Sequence, residues 1–152
     1  MYPLFLFCLA VILGLVQFLL LHKPLFSSFL LAFIVCNIGL QGIYAFMGHF
    51  FRSDETARNI GWPTGNLFQK EIAFTNLSLG VIGIMCIWFR GNFWLATIIA
   101  RSVFLWGCSY IHFMDLKRNK NVQVFNAGPV LYFDFFFPFI LIGFYILQLI
   151  YG

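Results

Sequence analysis

Five apolar runs, residues 2–21, 25–51, 67–89, 93–114 and 130–151, occupy most of this 152-residue chain. A helix rises about 1.5 Å per residue, so some twenty residues cover the roughly 30 Å of bilayer hydrocarbon. Lipid offers the backbone no hydrogen bonds, which leaves helices and closed barrels as the only spanning forms. Barrel strands alternate apolar and polar residues over about ten positions, whereas these runs are continuous. The sequence therefore predicts an all-α fold, a single transmembrane domain over residues 1–152 with five spans. With 62% hydrophobic and 9% charged residues and a mean hydropathy of +0.92, the chain lacks the polar surface a soluble globule needs.

The first run reads as a retained helix. It has no basic region before it and no small-x-small cleavage site after it, and it is longer than the apolar core of a signal peptide. The cysteines Cys8, Cys36, Cys86 and Cys108 all fall inside spans and form no C-x-x-C pair, so they read as small apolar side chains. Cys108 shares a helix face with His112.

The net charge is +4. The basic residues flank helices, which points to topology and not to nucleic acid. Five spans put the N-terminus and loops 52–66 and 115–129 on one side, with Arg52, Arg58, Lys70, Lys117, Arg118 and Lys120. The turns near Lys23 and Arg90 fall on the other. The excess predicts that the first side is cytoplasmic.

The loops on that side carry helix signals. Ser53, Asp54, Glu55, Arg58 and Gly61 give a cap, first-turn acids, a late base and a C′ glycine, predicting a short interfacial helix over about 54–60. Trp62 then sits at headgroup level. Asn66 with Gln69 resembles a capping box. Asn126-Ala127-Gly128-Pro129 reads as a turn feeding a helix with proline in its first turn.

Ionisable residues kept within apolar runs are expensive and need a reason. His49 ends span 2 and His112 ends span 4. Glu71 lies about one turn into span 3, and Asp134 about one turn into span 5. The topology brings all four to one end of the bundle. Helical spacing adds Arg101, Leu105, Cys108 and Asp115 to the His112 face. It also sets Asn37 and Gln41 on one stripe of span 2, and Gln69 and Asn76 on a stripe of span 3. Pro138 cannot donate to the carbonyl of Asp134, so span 5 should bend there and offer the site a further acceptor.

Three readings compete for this constellation. His49, Glu71, His112 and Asp134 could bind zinc, iron or manganese, since two imidazoles and two carboxylates suit such metals. The same four could instead act as catalytic acid–base groups in a polar cavity at the membrane face. That cavity would take a small amphipathic ligand (a lipid, an isoprenoid or a quinone-like molecule), with Arg101, Gln69, Asn76 and Asn126 binding it. In the third reading the polar groups only join helices, as in a non-catalytic scaffold or small transporter subunit. Whether there is any catalysis stays open at this stage. Membrane lipid is the expected partner, and the glycines Gly42, Gly48, Gly80 and Gly83 allow close helix approach, including in a homodimer.

The residues Ile60-Gly61-Trp62-Pro63, Phe68-Gln69 with Glu71 and Asn76, then Gly107, His112 and Asn126-Ala127-Gly128-Pro129-Val130 with Asp134 and Pro138 form a recurring pattern. It resembles a family of small bacterial multi-span membrane proteins of unknown function, over roughly residues 40–140. The resemblance implies an integral protein of the bacterial inner membrane and implies no activity.

Overall fold

Residues 2–151 are described by a computed structural model, and every regular element in it is a helix. These are α1 (Tyr2–Leu19), α2 (Leu25–Phe51), α3 (Ser53–Ile60), α4 (Phe68–Met85), α5 (Asn92–Asn119) and α6 (Pro129–Tyr151). Four of them, α1, α2, α5 and α6, are long and apolar enough to cross a membrane. The expected fifth span, α4, has 18 residues but opens on Gln69, Lys70 and Glu71 and carries Asn76, which takes it out of that set. Large apolar side chains such as Phe5, Leu20, Val103, Phe139 and Leu149 are exposed around the bundle, as lipid-facing residues would be.

α2 is the central post. Its first half packs against α1 and α6 through a core that includes Ala10, Leu30, Phe33, Ile34, Phe137 and Leu141. Aromatic rings fill the spaces, with Phe7 on Phe33 at 5.1 Å and Phe33 on Phe144 at 5.3 Å between centroids. Its second half packs against α4, antiparallel to it. Here the glycines decide the approach. A Cβ on Gly42 would meet the Asn76 carbonyl at 2.6 Å and the Gly80 Cα at 2.7 Å, and one on Gly83 would meet the Gly39 nitrogen at 2.6 Å. Gly42, Gly80 and Gly83 are thus used in close contacts within the chain.

Between these halves, Ile34–Leu40 takes π-helical turns. Such turns add a residue and rotate the following face, and they recur at functional sites. Asn37 lies in this segment and donates from Nδ2 to the Pro3 carbonyl at 3.3 Å, tying the start of α1 to the middle of α2. Gln17 joins the same two helices lower down through the Ser28 carbonyl at 3.3 Å.

The short helix α3 forms as expected, with Gly61 in the left-handed region at φ +88°. Ser53 is its first residue and makes no cap bond. Asn66 caps α4 by accepting from the Phe68 N–H at 2.9 Å, but Gln69 does not reciprocate. α6 starts at Pro129 and runs through Pro138. α5 leans on α6, with Trp106 Nε1 donating to the Phe135 carbonyl at 3.2 Å. It is fastened to the end of α4 by Trp94 Nε1 donating to the Cys86 carbonyl at 2.9 Å.

Candidate functional site: a cleft between two helix pairs

α4 and α5 are joined through a short turn at one end, and away from it a space opens between the α2–α4 pair and the α5–α6 pair. This cleft has a volume of about 1140 Å³. α2 contributes Gln41, Ala45, Gly48 and His49, and α5 contributes Arg101, Leu105, Cys108 and His112 at three- and four-residue spacing. Tyr2, Asn76 and Asp134 add further polar groups, and Arg52, Glu55, Thr56 and Asn59 line the cleft around α3. From Arg101 to His112 the α5 wall runs about 16 Å at helical rise.

The inner part of the cleft holds charge. Arg101 is 2% exposed, and its Nε and Nη1 have no hydrogen-bond partner. Its guanidinium carbon lies 5.7 Å from the centroid of the Phe104 ring. Asp134, on the neighbouring helix α6 of the same pair, is 7% exposed. The two are within electrostatic reach of each other, together with Tyr2 and Cys108. No carboxylate comes within ion-pair distance of Arg101 among the described residues.

The outer part is a closed hydrogen-bond system. The Gly61 turn brings Trp62 flat against His112, with ring centroids 5.5 Å apart and planes 16° apart. Trp62 Nε1 donates to Asp115 Oδ2 at 2.9 Å. Asn121 Nδ2 donates to the same oxygen at 2.6 Å and to the Ile60 carbonyl at 2.8 Å. A Cβ on Gly61 would strike Asn121, so the turn needs glycine for space as well as for its φ. His112 Nδ1 lies 2.8 Å from Asn126 Oδ1, and Asn126 donates onward to the Asn121 carbonyl at 2.8 Å. Loops 52–66 and 115–129 are thereby latched over the cleft end.

His49 is fixed in a similar way, with Nδ1 2.6 Å from Gln69 Oε1. A carbonyl oxygen only accepts, so Nδ1 is the donor in both contacts. Both histidines are therefore paired with amides. The expected histidine–carboxylate pairs do not form.

The sequence-derived residues thus divide. His49, Asn76, Arg101, His112 and Asp134 line the cleft. Gln69 and Asn126 act on it through their histidines, and Asn76 is bonded to its own helix through the Ile72 carbonyl at 3.0 Å. Glu71 is exposed and is not part of the lining. The metal reading of His49, Glu71, His112 and Asp134, with zinc, iron or manganese, finds no support: among the described residues no three His, Cys, Asp or Glu side chains converge to hold an ion. Three contributors were not anticipated in these roles. Tyr2 reaches the cleft because α1 starts deep beside α2, Trp62 stacks on a histidine, and Asn121 closes the latch. The Gly61-Trp62 pair after an amphipathic helix was the one signal available for Trp62.

The chain is a member of a protein family. The profile of a family of unknown function, DUF6790, matches residues 1–151, beyond the segment that carried the resemblance. Comparison with characterised proteins and with solved structures finds no match.

Proposed function

We propose that this integral membrane protein binds a small amphipathic molecule in the cleft, with the polar group of the ligand at Arg101 and Asp134 and its apolar part along the helix walls. Arg101 carries the proposal. A buried arginine with unpartnered N–H groups costs several kcal/mol in a membrane protein, and an acceptor brought by a ligand would offset that cost. The walls suit a lipid, isoprenoid or quinone-like tail, because Val103, Tyr110, Ile111 and Phe68 line the cleft and are also exposed. Entry is sideways from the bilayer, between α4 and α5. His49 and His112 lie in the outer cleft with Nε2 available, where they would take up or release a proton of the ligand.

The proposal includes a topology. In it α4, whose 18 residues reach about 27 Å at helical rise, is a fifth crossing helix packed on the second half of α2. The N-terminus and both latched loops then fall on one side. Arg52, Arg58, Lys117, Arg118 and Lys120 mark that side as cytoplasmic, in a bacterial inner membrane.

Mass spectrometry of organic extracts from purified protein, wild type beside Arg101→Gln, is the test. The wild type should carry an amphiphile in near-stoichiometric amount, and the folded variant should have lost it. Equal amounts in both would refute the role of Arg101. The scaffold reading is favoured by one feature, the Trp62–Asp115–Asn121 latch, in which polar groups satisfy one another with no ligand. It predicts an empty wild-type cleft.

A further inference from the structure

We infer that the ligand head is zwitterionic, of the phosphoethanolamine type, with its phosphate on Arg101 and its primary ammonium on Asp134. This rests on the reading that the cleft binds an amphiphile. Arg101 and an ionised Asp134 put opposite charges on one space, each nine-tenths or more buried and with no ion pair between them, whereas Arg52 and Glu55, which also line the cleft, are exposed. A purely anionic head would satisfy Arg101 while placing a second negative charge beside Asp134. A purely cationic head would do the reverse. A neutral head would leave each charge with only the other, beyond ion-pair distance, in a low-dielectric setting where each is costly. Only a group carrying both signs, inserted between the two residues, pairs each of them.

The donor chemistry narrows the class. Guanidinium forks match phosphate oxygens and donate without accepting. An ionised carboxylate only accepts, so the cationic end must bring N–H groups. A primary ammonium has three and a choline head has none. Much of the remaining lining is hydrocarbon (Met47, Val103, Phe104 and Leu105 among it), which fits acyl chains and argues for a lipid over a free zwitterion.

The test uses the full-length protein in detergent, titrated with short-chain phosphatidylethanolamine, phosphatidylcholine, phosphatidylglycerol and soluble glycerophosphoethanolamine, with binding read by native mass spectrometry. Phosphatidylethanolamine should bind at least about tenfold more tightly than the other two lipids, the worth of one hydrogen bond to a charged group. Asp134→Asn should erase the preference over phosphatidylglycerol, and Arg101→Gln should weaken every phosphate-bearing lipid. The wild-type series depends on no variant folding. Equal binding of the three lipids, or preference for phosphatidylglycerol, overturns the zwitterion while leaving an amphiphile site in place. Binding of no lipid removes the cleft reading as well. Soluble glycerophosphoethanolamine binding as well as the lipid would uphold the head chemistry and overturn the membrane as its source.

Discussion

The two flanks of α4 are built on opposite principles. Towards α2, glycine meets glycine and backbone lies on backbone, so that a single added carbon at Gly42, Gly80 or Gly83 has no room. Towards α5 the helices stand apart, and the space between them holds a buried guanidinium and a buried carboxylate that do not pair. In lipid no hydrophobic force pulls helices together, so close packing by small residues does that work. A bundle closes where side chains are absent. It stays open where large or charged ones stand without partners. One flank is spent on stability, and the other is left free for a ligand.

The largest effect should come from blocking the closed flank. Gly42→Leu places a side chain against the Asn76 carbonyl and the Gly80 backbone, neither of which can yield without moving α4. Overpacking against backbone should cost about 3 kcal/mol or more. Thermal unfolding in detergent should show loss of the cooperative transition or a collapse in folded yield. An unfolding temperature equal to that of the wild type would mean that the α2–α4 seam is not what holds the bundle.

Next in size is the latch. Trp62→Ala removes the stack on His112 and the hydrogen bond to Asp115, and leaves Asn119 and Asn121 on that carboxylate. Trp62 is half-buried, so the expected cost is about 2 kcal/mol, below that of a fully enclosed indole. Loops 52–66 and 115–129 should become the first sites of protease cleavage. Unchanged proteolysis would detach the latch from the loops.

The open flank should behave in the reverse sense. Replacing a buried, unpaired charge by an apolar side chain of similar size is neutral or stabilising. Arg101→Leu should therefore unfold at the same temperature as ligand-free wild type or higher, by about 1 kcal/mol, while losing the bound amphiphile. A strongly destabilised Arg101→Leu would sharpen the contrast differently. It would show that Arg101 is paired in the membrane and belongs to the structural flank.

Much of the closed flank could be read in the sequence, because its signals are local. Glycines at helical spacing, a capped amphipathic octet ending in Gly61, and Asn-Ala-Gly-Pro before a long apolar run each dictate conformation within a few residues. Gly39 escaped notice because its role depends on the π-helical turns around it. The open flank was legible only in part. The spacing of Arg101, Leu105, Cys108 and His112 put them on one face, and they do line one wall. Which residue a histidine meets on the neighbouring helix depends on that helix's rotation about its axis, and apolar sequence all round specifies rotation poorly. The carboxylates were therefore assigned to the histidines when Gln69 and Asn126 hold them.

Glu71 puts that point to the smallest and most discriminating test. Successive residues turn by about 100° around a helix, so two positions are separated by about 200°. Gln69 is turned inward to His49, which sends Glu71 to the far side of α4, where it is exposed. Glu71→Ala should thus change stability by less than about 0.5 kcal/mol, as at other surface positions, and leave bound amphiphile at the wild-type level. Gln69→Ala, two residues away, should free the His49 ring and cost about 1 kcal/mol for the lost hydrogen bond. Were Glu71→Ala to empty the cleft while Gln69→Ala did not, α4 would have to be rotated by half a turn. The carboxylate would then rejoin the histidines, and the division between a closed and an open flank would pass through α4 itself.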